Sequence, residues 1–189
     1  MRWTILAVGL GLLCGCATPE PPSMNAMRLA AVVAGPPYRV VASPDAAIAT
    51  SVYVLDGSDL LYVSGTVPDI VNPNAPQGSV ERFGDTETQT RSVLAKIEKA
   101  LADHQMTPGD VVMMRVFLVA PPGQPRMDFA GMMRAFRERY GTAQQRNKPA
   151  RSTMQVAGLV DPGWLVEIEV TAAKSGGPRV MPLQTDKTM

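Results

Sequence analysis

From Val111 to Val119 the chain reads VVMMRVFLV, apolar at every position except Arg115. A run of that length and composition is a fully apolar strand, and it belongs inside a sheet with other layers packed on it. On either side of it the hydrophobic period changes. From Thr86 to about His104, Val93, Leu94, Ile97 and Leu101 recur at helical spacing, with Lys96, Glu98 and Lys99 on the other faces. Asp85 stands where an N-cap is needed. From Asp128 to Tyr140, the residues Phe129, Met132, Met133, Phe136 and Tyr140 mark the apolar face of a second helix. Asp128 can cap it and Gly141 can end it.

The remaining segments read as strands. Ser51 to Leu55 and Leu60 to Ser64 are joined by DGSD, a turn signal, and predict a β-hairpin. Pro68 to Ser79 is dense in Pro, Asn and Gly and predicts a loop. Ser152 to Val156, and Leu165 to Ala172 after the turn DPGW, close the domain. This order predicts an α+β architecture, one mixed β-sheet with two helices on one face. No third helix is available for the other face, so a second copy of the chain is the expected cover.

The N-terminus reads as an address. Arg2 precedes an apolar run from Trp3 to Leu13 that ends in Leu13-Cys14-Gly15-Cys16. The run has the length of a signal-peptide core and is shorter than the roughly 20 apolar residues of a membrane span. The ending resembles a bacterial lipobox. Cys14 fits poorly because Leu13 precedes it, so Cys16 is the candidate lipidation site and new N-terminus. Two or more acyl chains there would hold the protein on a membrane. Ala17, in place of aspartate, favours the outer membrane on the periplasmic side in lipoproteins of this resemblance. The expected organisation is therefore a leader over 1–16, a Pro-rich tether over 17–37, one domain over 38–174 and a tail over 175–189. Within the tether, MRLAAVVAG is compatible with strand, helix or neither.

Composition narrows the chemistry. Both cysteines lie in the leader, so the domain holds together without a disulfide. Eighteen Lys and Arg against 17 Asp and Glu give a formal net charge of +1, with no basic stripe, which argues against nucleic acid. The one histidine, His104, has no ligand partners at metal spacing and reads as a solvated residue near a helix end. No metal site is expected.

Two features carry possible chemistry. In NKPARSTMQV, Asn147 to Val156, Arg151 is either an ordinary surface arginine or a planar fork of donors placed to grip a carboxylate. In VEIEVTA, Val166 to Ala172, Glu167 and Glu169 share one strand face. They are either solvated or, if that face lies in a cleft between subunits, at least one must be paired, since an unpaired buried charge is costly. Arg151 is the expected neighbour.

Six segments then carry a resemblance: LYVSGTVP from Leu61, TQTRSVLAKIEKAL from Thr88, GDVVMMRVFLV from Gly109, FAGMMRAFRERYG from Phe129, PARSTMQV and VEIEVTA. In that order and spacing the chain resembles the RidA (YjgF) family of reactive-intermediate deaminases over nearly all of Tyr38 to Lys174. The resemblance implies a chorismate-mutase-like fold and a barrel-like homotrimer with ligand clefts between subunits. It implies cofactor-free hydrolysis of imines and enamines of short 2-oxo acids to the oxo acid and ammonia. Arg151 would bind the substrate carboxylate, and Glu167 would position the attacking water and shuttle a proton. Ser64, beside Gly65, would line the cleft, and the backbone carbonyl of Thr153 would lie near the water. The chain also departs from the family. Ala49-Thr50-Ser51 replaces Gly-Pro-Tyr, so the cleft tyrosine is missing unless Tyr53 takes its place. Met133 replaces a common asparagine, Thr153 a common cysteine, and the loop after the second strand is longer. Three roles remain open: an imine deaminase, a membrane-tethered trimeric binding module for small carboxylates, and a structural Arg151–Glu167 pair at a subunit seam.

Overall fold

The structure, a computed structural model, describes residues 36–42 and 45–176. The expectations for the leader, for Cys16 and for most of the tether and tail fall outside the described residues. Among those described, the elements are β1 (Tyr38–Val41), β2 (Ser51–Val54), β3 (Ser58–Thr66), α1 (Thr86–Ala102), β4 (Val111–Leu118), α2 (Phe129–Arg137), β5 (Ala150–Gln155) and β6 (Val166–Ser175).

Strands β3, β6, β4 and β5 form one mixed sheet in that order. β4 and β5 run parallel, with α2 as their crossover, and the other pairs are antiparallel. Both helices pack on one face, as the alternation predicts. That face is built by Met114, Val116 and Leu118 of β4 and by Val166, Ile168, Val170 and Ala172 of β6, against Val93, Leu94, Ile97 and Leu101 of α1 and Met132 and Phe136 of α2. Both predicted caps form. The Asp85 side chain accepts from the Thr88 N–H at 2.8 Å, and Asp128 accepts from the Gly131 N–H at 2.8 Å. Gly141 follows α2 at φ +72°, a conformation open to glycine without strain. α2 ends three residues earlier than its apolar pattern.

Gln89 of α1 is fully buried and uses its amide completely. Its Nε2 donates to the carbonyls of Gly84 and Gly163, both at 2.9 Å, and its Oε1 accepts from the Leu165 N–H at 2.7 Å. The start of α1 is thereby tied to the turn that launches β6.

The expected β2–β3 hairpin does not form as a ladder. Leu55 to Ser58 does reverse the chain, with Gly57 at φ +80°, but β2 pairs with β1 and β3 pairs with β6. Strand β1 was not anticipated. The β1–β2 ribbon buries Tyr38, with Val40, Val52 and Val54 beside it, on Val112 and Ala173. It thus covers one end of the sheet face opposite the helices. The rest of that face stays open, and Tyr62 on it is 73% exposed.

Candidate functional site

Arg151 lies on β5, the edge strand, in register with Met114 of β4. Cross-strand partners share a face, so Arg151 points to the helix side, as the buried Met114 does. Its guanidinium carbon stands 4.3 Å from the ring centroid of Phe136 and 5.9 Å from that of Phe129. Nη2 approaches the thioether of Met133 at 3.1 Å, a weak acceptor. Nε and Nη1 are shielded from solvent and have no hydrogen-bond partner. Burial, and then the charge of Arg137, push the Arg151 pKa down to about 10. No carboxylate offsets them.

Thr153, two residues on and on the same strand face, has its Oγ1 buried and equally without a partner. Three orphaned polar atoms therefore lie along one face of β5. A buried donor left unmade costs about 1–3 kcal/mol, and more when charged. The cation–π contact returns about 0.5–2 kcal/mol. The balance favours an acceptor from outside the chain, and the acceptor that suits a guanidinium best is an anion.

Glu167 lies on the other face. It is in register with Phe117, and Glu169 with Arg115. The two glutamates do share a face, but it is the open one. Glu169 pairs with Arg115 at 2.6 Å. Glu167 makes no ion pair among the described residues; its carboxylate lies over Gly65, where a Cβ would collide with Oε1. Ser64 and Gly65 sit in the bulge of β3 between Val63 and Thr66, and the Ser64 carbonyl accepts from Thr66 Oγ1 at 3.1 Å. Ser64, Tyr62, Arg115, Glu169 and Thr171 line a shallow groove on this face.

The site residues thus fall into two groups: Arg151 and Thr153 on the helix side, Glu167, Ser64 and Gly65 on the open side. Arg151 and Glu167 are therefore not neighbours within one chain; the expectation set them together in a cleft between subunits, which one chain does not contain. Parity decides it: β5 takes its register from β4, and that register puts Arg151 with the core-facing residues. Phe136, Phe129 and Met133 were read only as a helix face; hydrophobic spacing gave no sign that a guanidinium packs against them. Tyr53 is exposed on the ribbon and His104 is exposed just after α1. No cluster of metal-ligating side chains occurs among the described residues, nor is any helix there long and apolar enough to cross a membrane.

Residues 41–174 match the family described as endoribonuclease L-PSP. A RutC family protein of Pyrococcus horikoshii is 30% identical over 120 residues, covering 64% of this chain and 83% of that protein. A crystal structure of a conserved Rid-family protein of unknown function from Yersinia pestis is similar with a TM-score of 0.53. It is 26% identical and the match covers 72% of this chain and 98% of that one.

Proposed function

The chain belongs to the endoribonuclease L-PSP family, that of the YjgF and Rid proteins, and on that premise we propose that it hydrolyses small 2-imino or enamine acids to 2-oxo acids and ammonia. The observation that carries this reading is the unpaired guanidinium of Arg151, stacked on Phe136 with Nε and Nη1 orphaned. A 2-imino acid supplies the carboxylate that this fork lacks.

Arg151 and Glu167 stand on opposite sheet faces, so a site containing both draws them from two copies of the chain, and we place it between subunits of a homotrimer. There, Glu167 of a neighbouring copy takes a proton from a water as its oxygen bonds to the imine carbon. The C=N electron pair moves to nitrogen, which receives that proton back from Glu167. Glu167 then takes the carbinolamine's hydroxyl proton and passes it to nitrogen as the C–N bond breaks, so that the carbonyl forms and ammonia leaves. Arg151 holds the carboxylate throughout, so its contribution is position. The Gly65 Cα lets the Glu167 carboxylate lie flat over β3. None of these steps uses a metal or a cofactor.

A trimeric binding module is the second reading, because one chain holds the orphaned donors complete while it lacks an adjacent base. The two readings separate by assay of freshly generated 2-iminopropanoate and 2-iminobutanoate. Ammonia release above the uncatalysed rate, lost in Arg151→Ala, supports the enzyme. Unchanged rates together with Arg151-dependent binding of a stable oxo acid would leave the binder. We further propose that Cys16 carries lipid and tethers the protein to the periplasmic side of the outer membrane. Fatty-acid labelling that persists in Cys16→Ser would overturn that.

A further inference from the structure

Most basic residues of the helix layer are ion-paired among the described residues; Lys99 of α1 and Arg137 of α2 are not, and of the two it is Arg137 that lies beside Arg151. Arg134 pairs with Glu87, Arg91 pairs with Glu87 and with Glu138, and Arg139 lies 3.4 Å from Glu98. Apart from Arg91–Glu87, which lies within α1, these pairs join α1 to α2 and its C-terminal end. Arg137, the last residue of α2, takes no part in them, and no ion pair or hydrogen bond joins it to another described residue.

Its place on the helix is specific. Residues four apart stand one above another on a helix surface, about one turn, or 5.4 Å, along the axis. Phe129, Met133 and Arg137 are such a row. Phe129 and Met133 are two of the side chains that touch or flank the Arg151 guanidinium. Arg137 therefore continues the stripe that walls Arg151, one turn further along. Among the described residues, its charge stands next to burial in lowering the Arg151 pKa. Two cations share a site edge with no carboxylate between them. Like charges held together repel, and the field they make attracts an anion of matching charge.

We propose that the ligand is a dianion: a 2-oxo or 2-imino acid with a second carboxylate at its far end. Arg151 takes the carboxylate beside the reacting carbon, and Arg137 takes the distal one. The inference rests on the carboxylate role of Arg151 given above and adds the substrate class. Met133 and Phe136 are buried, so Phe129, 43% exposed, is the apolar side chain left to face the methylenes between the two carboxylates. Because Arg137 is exposed, its contact adds a modest preference and not the bulk of the affinity.

The test compares 2-oxoglutarate with 2-oxopentanoate, which share chain length and differ in the distal carboxylate. Binding to the full-length protein in detergent is measured by calorimetry at low and high salt. The expected result is a preference for 2-oxoglutarate of about two- to fivefold, weaker at high salt. Arg137→Gln should abolish the preference by weakening 2-oxoglutarate alone, and Arg137→Lys should keep part of it. Arg151→Gln should weaken both acids. Equal affinities in the wild type, or a preference that survives Arg137→Gln, would overturn the dianion. So would an equal loss for both acids in Arg137→Gln, which would make Arg137 a general contributor to the field. Loss of assembly in Arg137→Gln, with no change in preference, would assign it to the subunit seam. If neither acid binds the wild type, the carboxylate role of Arg151 fails first, and the dianion with it.

Discussion

Arg151 and Glu167 are carried by the same sheet and stand on its two opposite faces, one in register with Met114 and the other with Phe117. Within one chain the two side chains start from opposite sides of the sheet. If turnover needs both, two inactive variants must repair each other. Arg151→Ala and Glu167→Gln, each inactive alone, are expected to recover activity when unfolded together and reassembled. Random mixing restores an intact pair in roughly a quarter of the intersubunit sites. Zero recovery from trimers shown to be mixed would mean the two residues do not serve one site.

Arg151→Lys tests whether geometry or charge matters at this position. Lysine keeps a positive charge but loses the planar fork and the stacking on Phe136. A charge-assisted contact of about 1.5–3 kcal/mol predicts a fall in kcat/KM of roughly ten- to a hundredfold for Arg151→Ala. Arg151→Lys should regain little of it. Near-complete rescue by lysine would reduce Arg151 to a point charge.

Gly65 gives a way to disturb Glu167 without touching it. A methyl at Gly65 collides with Glu167 Oε1, the far end of a flexible side chain, and pushes the carboxylate aside with little backbone strain. Gly65→Ala should therefore lower kcat several-fold while thermal stability stays nearly constant. An unchanged kcat in a variant that folds normally would remove Glu167 from the reaction, or show that its position is not critical.

Asp85 sets a pH-dependent part of stability. The Thr88 N–H, and then its hydroxyl, hold the Asp85 carboxyl below the ordinary aspartate value. A depressed folded pKa means stability that is complete above the unfolded value and is lost as pH falls through the folded one. Asp85→Ala should cost about 1 kcal/mol at neutral pH. The gap between variant and wild type should narrow below about pH 4. Urea unfolding at pH 7 and at pH 3 reads it directly, and a gap of the same size at both would show that the cap works without its charge.

The helices were legible because each announces itself locally: an aspartate cap, an apolar stripe at helical spacing, a glycine after the end. The central strand was legible from its unbroken apolar run. Pairing was not. DGSD correctly marks a chain reversal, yet a turn fixes direction and leaves the partner open. Leu61 and Val63 gain more by facing the helices beside β6, and Val52 and Val54 by closing with Tyr38 and Val40 over Val112 and Ala173. The site was half legible for the same reason. Pro-Ala-Arg and the alternating glutamates pick out Arg151 and Glu167, but the face each occupies depends on register with strands distant in sequence. Arg137 went unread because a lone exposed arginine looks the same whether its neighbours are paired or not.

The sheet ends at β5, and the outer edge of that strand is met only at its beginning, where Ala49 bridges Ala150. Beyond that point, among the described residues, its backbone is a free template for another chain. Natural proteins guard such edges with a charge turned inward, because a foreign strand laid alongside would have to bury it. Arg151 is that charge. Removing it therefore strips a guard as well as a ligand contact, and Arg151→Ala should scatter light and lose soluble yield on storage sooner than Arg151→Lys, whatever either does to catalysis.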